Sequence, residues 1–238
     1  MRVGFTIERH SEILDDWQLV VQPVAVLRAE GINPVRLGER QPLFRTLAKR
    51  AIAEGTAWIH PRAVVRCLNI VERENEGMFF APGGQLMGAG LSRRLTGAGC
   101  VLAAVATLGG ELEQRIEKLR GQDLLFQMAL DAFGTAALDE MTNALTRHVH
   151  ALAGVRTLKA TNPVYPGTKD WELSAAQTQI FSLVDASSIG VHLNPSFMMM
   201  PRKSVSMVYG LGAKVRVGKI PCAECEAASR CLHKPGSS

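Results

Sequence analysis

Residues 158–212 read LKATNPVYPGTKDWELSAAQTQIFSLVDASSIGVHLNPSFMMMPRKSVSMVYGLG and concentrate turn residues, aromatics and hydroxyls that are thinly spread elsewhere in the chain. The opening, Asn162-Pro163-Val164-Tyr165-Pro166-Gly167, has two prolines that fix φ and a glycine free to take positive φ, so it makes a stiff, non-helical loop. Such a loop either positions chemistry or simply joins two elements. Residues 154–160 read as a strand leading into it. Beyond it, residues 174–184 have helical spacing, with Ser174 as N-cap, Gln177 completing a capping box, and Ile180, Phe181 and Val184 facing inward. Residues 191–193 and 204–209 read as strands. This order lacks the regular alternation of parallel βαβ units. It points to an α+β fold, a largely antiparallel twisted sheet flanked by helices.

The upstream chain supplies the rest of the layers. Residues 100–108, CVLAAVATL, form a continuous apolar run expected to be the central strand, and residues 63–72 and 78–81 are strand candidates meeting across Glu76-Gly77. Residues 42–54 repeat Leu43, Phe44, Leu47, Ala51 and Ile52 at helical spacing, with Gly55 placed as a C-cap. Residues 22–30 fit a helix or a strand equally, and residues 2–8 fit a strand. Gly88 to Gly97 suggests a short helix with close backbone contacts. Residues 111–120 follow Gly109-Gly110 as a helix whose Glu111 and Glu113 suit its N-terminal dipole. The longest helical pattern is 122–150, with a small-residue patch at Gly134, Thr135, Ala136 and Ala137 and the carboxylates Asp131, Asp139 and Glu140 beside its apolar face. The expected organisation is a small N-terminal subdomain over 1–80, an α+β core over 81–218 and a cysteine-rich tail over 219–238.

Composition narrows the function. The chain has 238 residues, 47% of them hydrophobic, enough for a real core. No apolar run approaches the roughly 20 residues of a membrane span, and the first residues lack the order of a signal peptide, so the expectation is a cytoplasmic protein with no membrane partner. Residues 202–238 carry seven basic and two acidic side chains, which accounts for the whole formal charge of +5. That segment has no interleaved aromatics and no reading helix, which argues against nucleic acid. Cys67 and Cys100 stand alone in the sequence and read as small core residues.

The order NPxYPG, then Gln177-x-x-Ile180-Phe181-Ser182-Leu183, then Ile189-Gly190-Val191-x-Leu193-Asn194, then Met199-x-Pro201-x-Lys203-Ser204-Val205-Ser206, resembles the activation domain of cobalamin-dependent methionine synthase, and more closely its stand-alone bacterial relatives. The segments ATLGGELEQRIEKLR and MALDAFGTAALDEMTNAL carry the same likeness. The resemblance implies that S-adenosylmethionine binds at Asn162, Pro163, Val164, Tyr165, Pro166 and Gly167. It further implies that Glu140 meets the ligand's ammonium and that the chain helps to reactivate an oxidised corrinoid by reductive methylation. The family loop reads RxxPGYP; here Ala160 replaces the arginine and Val164 the glycine, leaving Lys159 or Arg202 as candidate cations. Ser204 and Ser206 alternate on one strand face as candidate ligand donors or edge residues. Met198, Met199 and Met200 fill core gaps or present a soft apolar surface. With no DxHxxG run in the chain, cobalamin is expected only through a partner, a corrinoid-binding protein or cobalamin-dependent methyltransferase. A flavodoxin-like protein or ferredoxin would supply electrons. A docking or chaperone module for a corrinoid protein is the alternative.

Cys222-Ala223-Glu224-Cys225 followed by Cys231 and His233 is the strongest signal independent of any family. Three thiolates so spaced can converge on one ion, and nearby lysines and arginines favour deprotonation. Zinc would take His233 as fourth ligand, whereas an iron–sulfur cluster would suit a redox task. Metal analysis of anaerobically purified protein is expected to find about one site per chain that is lost in Cys222→Ala and Cys225→Ala. Stoichiometric zinc without visible charge-transfer absorption would remove the cluster; no metal at all would remove the site.

Overall fold

β-Branched and small residues fill the run Cys100–Thr107, β5, and all eight of its residues are buried. A strand covered on both faces needs both parities of its sequence to be apolar. Leu102, Ala104 and Ala106 belong to one core cluster, and Val101, Ala103 and Val105 to a second. The computed structural model, which describes residues 11–33, 41–168 and 171–216, is therefore layered around this strand.

The remaining described elements are β1 (Glu12–Leu14), α1 (Pro23–Ala29), α2 (Gln41–Gly55), β2 (Arg62–Glu74), β3 (Gly77–Ala81), β4 (Gln85–Met87), α3 (Leu91–Arg94), α4 (Glu111–Lys118), α5 (Leu124–Val155), β6 (Lys159–Ala160), α6 (Leu173–Leu183), β7 (His192–Leu193), β8 (Met199–Met200) and β9 (Ser204–Gly212). The main sheet runs β4-β3-β2-β5-β9-β6, with β1 also on β2. Every pairing is antiparallel. One edge of β2 is shared: β1 takes Ala63 to Val65 and β3 takes Asn69 to Glu74. The sheet thus joins strands from both sides of residue 80. Helices α1, α2, α4 and α5 cover one face; α3, α6 and the β7-β8 hairpin cover the other. Among the described residues no helix is long and apolar enough to cross a membrane.

Three local expectations need correction, and one left open is decided. Helix α6 is capped by Glu172, whose carboxylate accepts the backbone N–H groups of Ser174 at 3.3 Å and Ala175 at 3.4 Å. Ser174 sits inside the helix with its hydroxyl on the same carboxylate at 2.6 Å, because the longer glutamate reaches both amides of the first turn. Gly55 keeps helical geometry, with φ −67°, and the chain runs on into a 3₁₀ turn at Thr56–Trp58. It is glycine for proximity, since a Cβ there would lie 2.5 Å from Phe133 Cδ1. Residues 154–160 are mostly not strand: α5 extends to Val155, and only Lys159–Ala160 pair with β9. Residues 22–30 resolve as helix, with Pro23 at the first turn where its missing N–H costs nothing. The strand expected over residues 2–8 and the whole of 219–238 lie outside the described residues.

Where β9 ends, the backbone packs against itself. Gly97 has φ +82°, and an added Cβ would collide with the Lys214 carbonyl, whereas Gly99 has open space around the same position. Gly97→Ala is expected to destabilise the protein by about 2 kcal/mol, seen as a Tm lowered by several degrees. Gly99→Ala should stay near wild type, and equal losses in the two variants would refute this account.

Candidate functional site

The loop that follows α5 is built as an extension of the sheet. Lys159 and Ala160 pair with Gly212 and Leu211, Thr161 donates its N–H to Gly210 at 2.9 Å, and its hydroxyl accepts the Gly210 N–H at 3.0 Å. Val164 and Val208 then exchange both backbone bonds, at 2.9 and 3.0 Å. Between these pairs Asn162 and Pro163 together oppose Tyr209, one residue too many for the ladder. That is a β-bulge, and it occurs where proline has no N–H to give. The bulge reverses the facing of the two residues after it. Val164 packs into the α6-side core and is buried, and Tyr165 packs on the α5 side. Pro166 and Gly167 then turn the chain, with Gly167 at φ +82° and its N–H on the Trp171 carbonyl at 3.0 Å.

Tyr165 is half-buried, and its phenol is pushed up to about 12, mainly by burial and secondly by the negative charge of Asp139 on α5. Tyr209 lies behind it on β9, wholly buried, its hydroxyl 3.0 Å from that of Thr146 on α5. Burial raises its phenol too, and the Thr146 hydrogen bond partly opposes that. The carboxylate that acts on Tyr165 is thus that of Asp139, which spacing alone did not single out. Glu140, one residue further along, has its side chain 27% exposed and accepts Arg147 Nη2 at 2.8 Å.

Ser204 and Ser206 are placed elsewhere. On β9, Met207, Tyr209 and Leu211 face α5, so Ser204, Ser206 and Val208 face α6. The Ser206 hydroxyl donates to Gln177 Oε1 at 2.9 Å, and Ser204 donates to the Pro201 carbonyl at 2.7 Å with the Thr107 hydroxyl 2.8 Å from its own oxygen. The structure does not bring these hydroxyls together with Tyr165. Gln177, buried in α6, has a partner on the sheet strand beneath it that helical periodicity could not reveal. Of the candidate cations, Arg202 lies 3.7 Å from Glu113 Oε2, and Lys159 is exposed at the sheet edge. Lys203 is tied to Asp131 at 3.0 Å and Thr135 at 2.9 Å. Among the described residues no group of three or more His, Cys, Asp or Glu side chains could hold a metal ion. Cys222, Cys225, Cys231 and His233 lie outside those residues.

An antiparallel sheet that carries a bulged prolyl loop against one long helix defines an α+β domain with the architecture of a methionine synthase reactivation domain. The chain is similar to the solved structure described as the MetH reactivation domain bound to AdoHcy, with a TM-score of 0.58 and 17% identity over 88% of this chain and 81% of that one. No protein-family model matches the sequence, and no curated protein matches it. The likeness is one of fold.

The chain has two tyrosines, Tyr165 and Tyr209, so an ultraviolet titration reads them directly. Little tyrosinate absorbance is expected until the pH passes about 11, against an ordinary midpoint of about 10. Because the folded phenol of Tyr165 is raised to about 12, its contribution to stability is complete below about pH 10. It is lost as the pH climbs through the folded value. An ordinary midpoint for both rings would show that neither is packed as described.

Proposed function

We propose that the chain binds S-adenosylmethionine at the Tyr165 loop and acts as an accessory protein in the reductive methylation of a corrinoid carried by a partner. The observation that carries this is a conjunction. The fold is that of a reactivation domain bound to AdoHcy, the demethylated form of the proposed ligand, and the bulge at Asn162 and Pro163 presents Tyr165 beside the carboxylate of Asp139. S-adenosylmethionine carries a sulfonium and an ammonium, and an aromatic face with neighbouring carboxylates suits both. Tyr165 would contact the adenosyl end and Asn162 to Gly167 would hold the ligand through backbone groups. Glu140, once released from Arg147, would meet the ammonium. The methyl group and its chemistry belong to the ligand, and the corrinoid to a cobalamin-dependent methyltransferase or corrinoid protein. A flavodoxin-like or ferredoxin donor and the tail cysteines complete the proposal on the electron side, in a cytoplasmic setting.

A second reading is favoured by Ala160. Its side chain is buried in the core on the α5 side, so the position where the family loop has an arginine provides no cation. A module that docks on a corrinoid protein without holding S-adenosylmethionine fits that observation.

Calorimetric titration with S-adenosylmethionine separates the two. Binding is expected to wild type, with roughly tenfold loss, about 1.4 kcal/mol, in Tyr165→Ala and a smaller change in Tyr165→Phe, which keeps the ring face. Asp139→Asn should also weaken it. Absence of heat and of competition with wild type would leave only the docking reading. Where binding is found, reactivation of a purified corrinoid partner with a low-potential donor tests the role itself.

A further inference from the structure

We propose that Cys67 and Cys100 form an oxidation site, a thiol pair that a hydroperoxide converts to a reversible cross-strand disulfide. The two residues are 33 apart in sequence, but β2 and β5 pair with Cys67 opposite Leu102 and Asn69 opposite Cys100. That register makes them diagonal neighbours on one face of the sheet, and both thiols are free. The two thiols influence each other across that diagonal, and the Cys100 thiol donates to the Leu211 carbonyl at 3.7 Å. Each residue is 8% exposed, and together they line a cavity of about 40 Å³ with Leu152, Leu158, Leu211 and Arg156. That volume exceeds what one water needs and suits a molecule of two oxygens. The site stands apart from the Tyr165 loop and does not depend on ligand binding there.

The chemistry divides between the two sulfurs. The hydrogen bond from Cys67, opposed by burial and helped by the charge of Arg156, holds Cys100 below the usual thiol range. The same contact, together with burial, pushes Cys67 up. Cys100 is therefore the sulfur that ionises first, giving up the proton it directs at the Leu211 carbonyl, and Cys67 is the resolving thiol. The Cys100 sulfur attacks one peroxide oxygen: an S–O bond forms, the O–O bond breaks, and the departing oxygen leaves as water after protonation. Cys67 then attacks the Cys100 sulfur. The S–S bond forms, the S–O bond breaks, and a second water leaves with the Cys67 proton. Two thiols and one hydrogen peroxide give one disulfide and two waters, with two electrons passing from sulfur to oxygen. Diagonal partners on antiparallel strands have Cα atoms about 7–8 Å apart, and disulfides span about 4.4–6.8 Å. The bond must slide β2 locally along β5, a strain that makes it easily reduced.

The test is peptide mapping by mass spectrometry of the full chain after treatment with hydrogen peroxide. The expected product links the Cys67 and Cys100 peptides, with the loss of two hydrogens, and is reversed by dithiothreitol. In Cys67→Ser, Cys100 should instead accumulate a dimedone-reactive sulfenic acid. Arg156→Gln should slow the wild-type reaction several-fold, and Arg120→Gln should not. Exposed Met128 and Met198 serve as internal standards. Their conversion to sulfoxide while both cysteines remain thiols would overturn the proposal, as would Cys100 sulfinate without a link or a link from Cys100 to Cys222, Cys225 or Cys231.

Discussion

The burial of β5 on both faces is the constraint on which the other layers depend. Its eight residues hydrogen-bond to β2 on one side and β9 on the other, so no backbone group of the strand needs water. The side chains then stand in two separate cores. Three of the inward positions are alanine, Ala103, Ala104 and Ala106, and each is fully buried. Small side chains at the middle of a sheet let helices approach on either face. The close approach is visible in the glycines too: a Cβ at Gly134 of α5 would meet Leu112 at 2.7 Å. A larger residue at these alanines would have to displace a helix, because interiors at this density transmit strain rather than absorb it.

Pinning β9 to β5 also fixes the loop. The 159–164 segment lies on the outer edge of β9, and its register is set by bonds at Ala160, Thr161 and Val164. The single extra residue at Asn162-Pro163 is what carries Tyr165 to the α5 side. Without the bulge, the parity of the strand would send Tyr165 toward α6 and away from Asp139. The placement of Tyr165 beside Asp139 rests on one local irregularity in an otherwise regular sheet.

How far each feature could be read from sequence depends on what determines it. The apolar run at 100–108 and the long helical pattern at 122–150 are properties of a local stretch, and both elements form there, though α5 runs on to Val155. The motif order over 158–212 carried the fold. The cap at Glu172 was missed because Ser174 matched the usual capping pattern and the glutamate sits just ahead of it in the chain. The facing of Ser204 and Ser206 is different in kind. Their alternation was legible, but their partners, Gln177 for Ser206 and Thr107 for Ser204, lie 29 and 97 residues away. The role of Gly55 likewise depends on Phe133, and the meeting of Cys67 with Cys100 on the register of two strands. Such long-range facts leave no local trace.

The two departures from the family loop have a structural meaning beyond loss. Ala160 is a ladder residue whose side chain points into the α5-side core, and an arginine there would bring a charge among Leu211, Cys100 and Leu158 without a partner in place. Val164 exchanges both backbone bonds with Val208 and fills the opposite core, where a glycine would leave space and loosen the strand. Both substitutions strengthen the edge of the sheet that supports Tyr165 while removing features suited to gripping a ligand carboxylate. Any ligand held here is therefore recognised chiefly through its aromatic and cationic parts, and selectivity for a carboxylate-bearing molecule has to come from a cation outside the loop. Lys203 is committed to Asp131 and Thr135, so recruiting it would cost those contacts, whereas Lys159 is already exposed at the strand that leads into the loop.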